Sequence, residues 1–187
     1  MKKNNYIKKI SILSAAFCFF SIVSPAQLTT RWTQVHNLTT TVDAIFAANI
    51  GSNALYVCGY NQFAAFNNQW VIQKRDLTTG APIAAFGVGG TVTSNPSASD
   101  DRALALASNS GGLYIAGVEN GQWRLEKRDL NSGTLISGFG VSGIISTNPS
   151  AGFDEAMALA IDATGIYIAG HDASPGNDQW KIGRAHV

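Results

Sequence analysis

Residues 101–153 read DRALALASNSGGLYIAGVENGQWRLEKRDLNSGTLISGFGVSGIISTNPSAGF, and this stretch decides the fold because the chain repeats it on both sides. The preceding copy starts at Asp43 and the following copy starts at Asp154. In every copy a glycine follows the opening aspartate after sixteen residues, at Gly59, Gly117 and Gly170. Such self-similarity predicts an array of small structural units, each of which buries its apolar faces against its neighbours.

The spacing from the tryptophan of one copy to the aspartate of the next is also constant. It is thirty-one residues from Trp70 to Asp101 and again from Trp123 to Asp154. Only the segment from the glycine to the tryptophan varies, between six and eleven residues, which is typical of an exposed loop.

The two longer variable segments, residues 60–68 and 171–178, are therefore the predicted recognition loops. Loops on a rigid scaffold are where binding residues usually lie. The candidate recognition residues are Tyr60, Phe63, Phe66, His171 and Asp172.

The pattern inside each copy favours strands over helices. Alanine and leucine alternate from Ala103 to Ala107, residues 113–115 form a short β-prone run, and residues 123–130 and 143–147 supply two further strands. Turns rich in Asn, Asp and Gly separate them. We therefore predict an all-β fold, a β-propeller-like array of four-stranded antiparallel blades that is truncated after about two and a half repeats. The repeats are residues 43–100, 101–153 and 154–181.

Four short motifs recur in the copies: an Asp-x-Ala opening, a Tyr-x-x-Gly strand end, a W-x-[IL]-x-K-R-D-L strand and an F-G-x-x-G loop. Together they resemble the delta-60 repeat of secreted bacterial proteins. The resemblance covers residues 43–181 and implies a propeller-like array. Its motifs specify architecture and say almost nothing about activity.

The N-terminus resembles an export signal. Four lysines lie within residues 2–9, an apolar run covers residues 10–23, and Ser24-Pro25-Ala26 offers small side chains for cleavage. The run is shorter than the roughly 20 residues that span a bilayer, so we predict a cleaved signal peptide over residues 1–26 and no transmembrane segment. We expect the protein to be extracellular, periplasmic or at the cell surface.

The charge of the exported part argues against nucleic acid as a partner. The chain has thirteen Lys and Arg and twelve Asp and Glu. Four of those lysines lie in the signal segment, which leaves nine basic residues against twelve acidic ones, a net charge of −3. Residues 27–42, which include Trp32, are predicted to form a lead-in strand that completes a final blade.

The last six residues, Ile-Gly-Arg-Ala-His-Val at positions 182–187, correspond to the translation of one frame of a widely used sequencing adapter. We therefore expect the native chain to continue beyond Lys181. A closed propeller ring needs typically four to eight blades, so we also expect this chain alone to be poorly soluble or incompletely folded.

No catalytic residue, cofactor site or metal ligand is assigned. Residues 138–143 spell G-x-G-x-x-G, but β-prone Ile144 and Ile145 follow instead of a helix that could hold a pyrophosphate. The recurring aspartates at Asp43, Asp101 and Asp154 are predicted to be solvated caps of strand ends. Calcium binding at the pairs Asp100-Asp101 and Asp154-Glu155 is the weaker alternative.

The remaining candidates receive structural interpretations. Cys58 aligns with alanines in the other copies and is predicted to be a small buried residue. His36 and His171 are predicted to be ordinary surface histidines. The recurring tryptophans are predicted to pack between blades, with sugar stacking as the alternative; they are Trp70, Trp123 and Trp180.

These observations predict a secreted or cell-surface propeller module that serves as a non-catalytic binding or structural scaffold, with a protein or glycan as its ligand. The alternative is a fragment of a propeller-fold polysaccharide lyase or hydrolase whose active site lies in a missing C-terminal part.

Overall fold

The computed structural model of the chain describes residues 32–51, 53–174 and 177–185. The predicted signal peptide, residues 1–26, lies outside the described residues. Within the described ranges the regular structure consists of β-strands, which confirms the all-β prediction. The strands are β1 (Asp43–Ile50), β2 (Ala54–Ala64), β3 (Asn67–Asp76), β4 (Thr91–Ser94), β5 (Arg102–Asn109), β6 (Gly112–Glu119), β7 (Gln122–Arg128), β8 (Ile144–Thr147), β9 (Glu155–Asp162), β10 (Gly165–Ser174) and β11 (Asn177–Ala185).

Each sequence repeat forms one antiparallel sheet. Strands β1 to β4 make sheet 1 and strands β5 to β8 make sheet 2, both in sequence order. Strands β9 to β11 make sheet 3, which has three strands in the described residues. The register is the same in the two complete sheets, since Trp70 pairs with Ser94 and Trp123 pairs with Thr147.

The glycine that closes the constant spacing of sixteen residues has a steric explanation. The first strand of each of the first two sheets carries an irregularity in its register, between Ile45 and Ala47 in β1 and at the equivalent place in β5. This presses a backbone carbonyl against the glycine of the second strand. A Cβ on Gly117 would lie 2.0 Å from the carbonyl oxygen of Arg102, and one on Gly59 would lie 1.8 Å from that of Ala44. No side chain fits there.

Consecutive sheets pack on each other through the repeated tryptophan. Strand β5 lies against β1, β2 and β3, and strand β9 lies against β5, β6 and β7. Trp70 is 0% exposed and its indole N–H donates to the carbonyl of Val118 in sheet 2, at 2.9 Å. Trp123 is 4% exposed and donates to the carbonyl of His171 in sheet 3, at 3.2 Å. The predicted packing role is confirmed for these two residues, whereas Trp180 is 97% exposed among the described residues.

Two apolar clusters fill the spaces between the sheets. The cluster between sheets 1 and 2 contains Ala54, Tyr56, Cys58, Trp70, Ile72, Phe86, Ala103, Leu106, Leu113 and Ile115. The cluster between sheets 2 and 3 contains Tyr114, Ala116, Trp123, Leu125, Phe139, Ala156 and Ile166. A sheet buries both faces only when it has a neighbour on each side, and sheet 2 is the one with two described neighbours.

The repeated aspartates are caps, but two of them are not solvated as predicted. Asp101 is fully buried and accepts hydrogen bonds from the backbone N–H and hydroxyl of Ser97 and from the backbone N–H of Asn120. Asp154 is also fully buried and accepts the same bonds from Ser150 and Ala173. Burial raises the pKa of Asp101, and the hydrogen bonds oppose that shift. Each aspartate therefore links the segment that precedes its sheet to the hairpin between the second and third strands of that sheet.

The predicted lead-in strand is not formed over residues 32–42. This segment follows sheet 1 through side-chain hydrogen bonds instead. The Trp32 indole donates to the carbonyl of Leu77 at 3.1 Å, and an Arg75 Nη donates to His36 Nδ1 at 2.7 Å. His36 is exposed, as predicted, although the arginine holds it on the sheet.

Candidate functional site

The two variable segments are extended hairpins, not loops. Strand β2 runs on to Ala64 and β3 begins at Asn67, so pairing continues through most of residues 60–68. In the same way β10 runs to Ser174 and β11 begins at Asn177. The prediction of loops is wrong because extra residues in a hairpin can lengthen both strands together, which leaves the sheet intact.

The tip of the first of these hairpins, residues 60–68, is here called the aromatic hairpin. It brings together the three candidate residues of the first segment. Phe66 is 94% exposed and Phe63 is also exposed. Tyr60 stacks on Phe46 of β1, with ring centroids 5.7 Å apart.

Phe66 occupies an unfavourable backbone conformation. Its φ angle is 60°, in the left-handed region that bulky residues avoid. The equivalent turn of sheet 2 has Asn120 and Gly121 at φ angles of 50° and 73°, and these residue types suit that region. A phenylalanine there costs on the order of 1 kcal/mol. The chain thus holds a large apolar ring in water at a conformational cost that local folding does not require.

An open groove of about 480 Å³ lies beside the aromatic hairpin. Its walls combine apolar and polar side chains from sheet 1 and from the chain that enters sheet 2. The lining residues are Val42, Tyr60, Gln62, Phe66, Asn68 and Asp100.

The polar wall of the groove is fixed in place. The Asn68 amide donates to Asp100, and Asp100 also pairs with Arg102 at 3.0 Å. Aromatic rings beside oriented amide and carboxylate groups can stack on an apolar ligand face and hydrogen-bond to its hydroxyl groups. Sequence reasoning missed Gln62 and Asn68 as members of this site, because nothing but their place in the variable segment distinguishes them.

The candidate residues of the second segment lie on sheet 3 and do not line this groove. His171 Nδ1 is 3.8 Å from a carboxylate oxygen of Glu155, and the His171 carbonyl accepts the Trp123 indole. Asp172 is buried and its carboxylate is 3.1 Å from the ammonium of Lys181. The structure therefore gives both residues contacts within and between sheets, and a recognition role for them stays a prediction.

Cys58 is buried in the interface between sheets 1 and 2, as predicted. Its thiol donates to the carbonyl of Ala103 at 3.7 Å. Burial raises the pKa of the thiol to about 12, so it is protonated at neutral pH. A protonated, enclosed thiol is not a nucleophile.

Comparison of the chain with protein-family models, with curated proteins and with solved structures finds no match. Among the described residues, no helix is long and apolar enough to cross a membrane. In the same part of the chain, no group of three or more His, Cys, Asp or Glu side chains is placed to hold a metal ion.

Proposed function

We propose that the chain is an exported, non-catalytic repeat module of the β-propeller type, related to the delta-60 repeat, which binds carbohydrate through the aromatic hairpin. The observation that carries this proposal is the exposed Phe66 ring beside a groove with an oriented amide and carboxylate. The export signal predicted from the sequence of residues 1–26 and the constant spacing of the repeat support the remaining parts of the proposal.

The hairpin is suited to binding because it is held on a rigid base. Its strands continue directly into the part of sheet 1 that contains buried Trp70, and residues placed on paired strands are better fixed than residues on a loop. Binding of a ligand then costs little conformational entropy, because the aromatic rings are already ordered. The left-handed conformation of Phe66 is consistent with such a role, since strained residues concentrate at functional sites.

Carbohydrate is the ligand class that this chemistry favours. Sugar rings present an apolar face that can stack on an aromatic ring and an edge of hydroxyl groups that can bond to Gln62, Asn68 or Asp100. The net charge of −3 expected for the exported part disfavours polyanionic ligands, so neutral polysaccharides are the first candidates.

The test is affinity electrophoresis of the exported chain through gels that contain neutral polysaccharides, such as a β-glucan, a xylan and a galactomannan. We expect retardation by at least one of them, and about tenfold weaker retardation for Phe66→Ala. Val88→Ala is the matched control, because Val88, in the segment between β3 and β4, is 88% exposed but does not line the groove.

Mobility that no neutral polysaccharide changes would overturn the proposed ligand class. Retardation that Phe66→Ala and Val88→Ala reduce equally would show that the aromatic hairpin is not the binding site.

A further inference from the structure

The residue that follows the repeat aspartate differs between the three copies, although the aspartate itself does not. It is Ala44 in sheet 1, Arg102 in sheet 2 and Glu155 in sheet 3. All three residues lie in the ladder between the first and second strands of their sheets. Because sheet 1 forms this ladder with an alanine, the fold of a single sheet does not require a charged side chain here. Arg102 and Glu155 therefore need an explanation that the repeat scaffold does not supply.

Arg102 contacts three side chains at the boundary between sheets 2 and 3. Its guanidinium donates to the carboxylate of Glu155 at 2.5 Å, and its Nε lies 3.0 Å from a carboxylate oxygen of Asp100. The guanidinium carbon also lies 6.0 Å from the centre of the Phe153 ring. The side chains of Arg102 and Glu155 are only 24% and 13% exposed, so water and salt screen this pair less than an exposed one. The three contacts hold a long side chain in one place.

Asp100 is the residue through which Arg102 reaches the groove beside the aromatic hairpin. Asp100 lines that groove and Arg102 does not. A backbone bridge to Asn68 holds the main chain of Asp100, but its side chain is 38% exposed and could turn into water. One carboxylate oxygen accepts the amide of Asn68 and the other faces Arg102. The two contacts together fix the orientation of the carboxylate in the groove wall.

A carboxylate that is held in this way is suited to accept hydrogen bonds from a ligand. It has about four lone-pair sites, so its contacts to Asn68 and Arg102 leave further sites for hydroxyl groups. An acceptor that is already oriented binds at a lower entropic cost than one that must be ordered by the ligand. Without Arg102 the Asp100 carboxylate loses its counter-charge, and hydration then favours conformations in which it points into water.

We infer that Arg102 is a positioning residue of the groove: it orients the Asp100 carboxylate for the ligand, and Glu155 of sheet 3 holds Arg102 in turn. The inference rests on the proposed carbohydrate binding and adds that a groove built on sheets 1 and 2 depends on a contact with sheet 3. The alternative is an ion pair that only joins sheets 2 and 3 and has no effect on the groove.

NMR of the Asn68 side-chain amide in the exported chain tests the positioning without any ligand. Arg102→Met removes the charge and keeps a long stem beside Phe153. We expect the amide of Asn68 to lose order in nitrogen relaxation measurements, because the carboxylate that it binds is no longer held. Lys127→Met removes an equal charge from β7 outside the groove and should leave the amide unchanged. An Asn68 amide as ordered in Arg102→Met as in wild type would overturn the inference.

Affinity electrophoresis of the same variants, through gels that contain the β-glucan, the xylan or the galactomannan, measures the effect on binding. We expect Arg102→Met to weaken retardation by about tenfold, as for the loss of one hydrogen bond to a charged group, and Lys127→Met to match wild type. Glu155→Gln leaves Asp100 and Arg102 in place and should weaken retardation by about threefold. It is the second variant to use if Arg102→Met does not fold. Wild-type retardation of both variants would contradict the inference.

Exchanging the two charges separates positioning from a bridge that only joins the sheets. Arg102→Glu combined with Glu155→Arg keeps opposite charges across the boundary of sheets 2 and 3, but it places a carboxylate beside Asp100. We expect this double variant to bind no more strongly than Arg102→Met. Binding that returns to the wild-type value would show that the bridge acts only between the sheets. Wild type that no polysaccharide retards would overturn the proposed function, and the Asn68 amide would still decide whether Arg102 positions Asp100.

Discussion

Replacing Trp70 by alanine tests whether the repeated tryptophan recurs because it packs between sheets and not because it stacks on sugars. The ring is completely buried between sheets 1 and 2, its N–H bonds to Val118 at 2.9 Å, and the Arg124 guanidinium lies 5.8 Å from its centre. Truncating a buried aromatic side chain costs about 3–5 kcal/mol, and the lost hydrogen bond accounts for about 1 kcal/mol of it. We therefore expect Trp70→Ala to lower the free energy of unfolding by about 4 kcal/mol.

The assay is urea unfolding followed by circular dichroism. Trp180→Ala is the matched control and should change the free energy of unfolding by less than about 0.5 kcal/mol, because its side chain is in water. If Trp70→Ala does not fold, Trp70→Phe keeps an aromatic ring but loses the indole N–H, and it should lower the free energy of unfolding by about 1–3 kcal/mol. Equal effects of alanine at Trp70 and Trp180 would refute the assignment of the tryptophan to the sheet interface.

Three further predictions concern residues that the repeat singles out. Gly117→Ala should lower the free energy of unfolding by about 2–3 kcal/mol, because the added Cβ meets a backbone oxygen. Gly138→Ala is the control and should leave the free energy of unfolding unchanged, because no atom lies within 4 Å of its added Cβ. Equal urea midpoints for the two variants would contradict this prediction. Cys58 should resist a thiol reagent at pH 8 until the chain unfolds, because burial raises its pKa to about 12; rapid labelling of the folded protein would exclude the buried thiol. Hydrogen bonds from the backbone N–H groups of Ser132 and Asn131 and from the Ser132 hydroxyl lower the pKa of Asp129 in the folded protein. The ionised carboxylate therefore stabilises the fold at pH values above the unfolded pKa, which is near 3.9. This contribution disappears as the pH falls through the lower pKa of the folded state. Asp129→Asn should therefore reduce the loss of stability between pH 5 and pH 2 in acid titrations, and an unchanged acid limb would speak against this.

The sequence was sufficient to predict the strands because the repeat constrains them. The constant distance from Asp101 to Gly117 follows from one geometry, a first strand with a register irregularity pressed against a glycine. The same spacing recurs wherever that contact recurs. The packing of Trp70 and Trp123 was predictable for the same reason. A large apolar side chain that recurs at the same position of every repeat is most readily buried between neighbouring sheets.

Features that depend on the neighbours of a residue could not be read from the pattern. From the sequence, Asp101 is expected to be a solvated cap of a strand end. In the structure the β6–β7 hairpin of its own sheet covers it, and Asn120, nineteen residues along the chain, donates a hydrogen bond to its carboxylate. The variable segment around Phe66 looked like a loop because its length differs, although length alone does not separate a loop from a longer hairpin. Asp100 enters the groove only through the packing of sheet 2 on sheet 1.

Hydrogen exchange of the tryptophan indole N–H groups, followed by NMR, tests most directly whether the repeats stack as equivalent sheets. The account predicts that the indoles of Trp70 and Trp123 are strongly protected, because each bonds to a carbonyl of the next sheet, and that the exposed indole of Trp180 exchanges rapidly. Exchange at Trp70 and Trp123 as fast as at Trp180 would show that the sheets do not pack through these residues, and the account would be wrong.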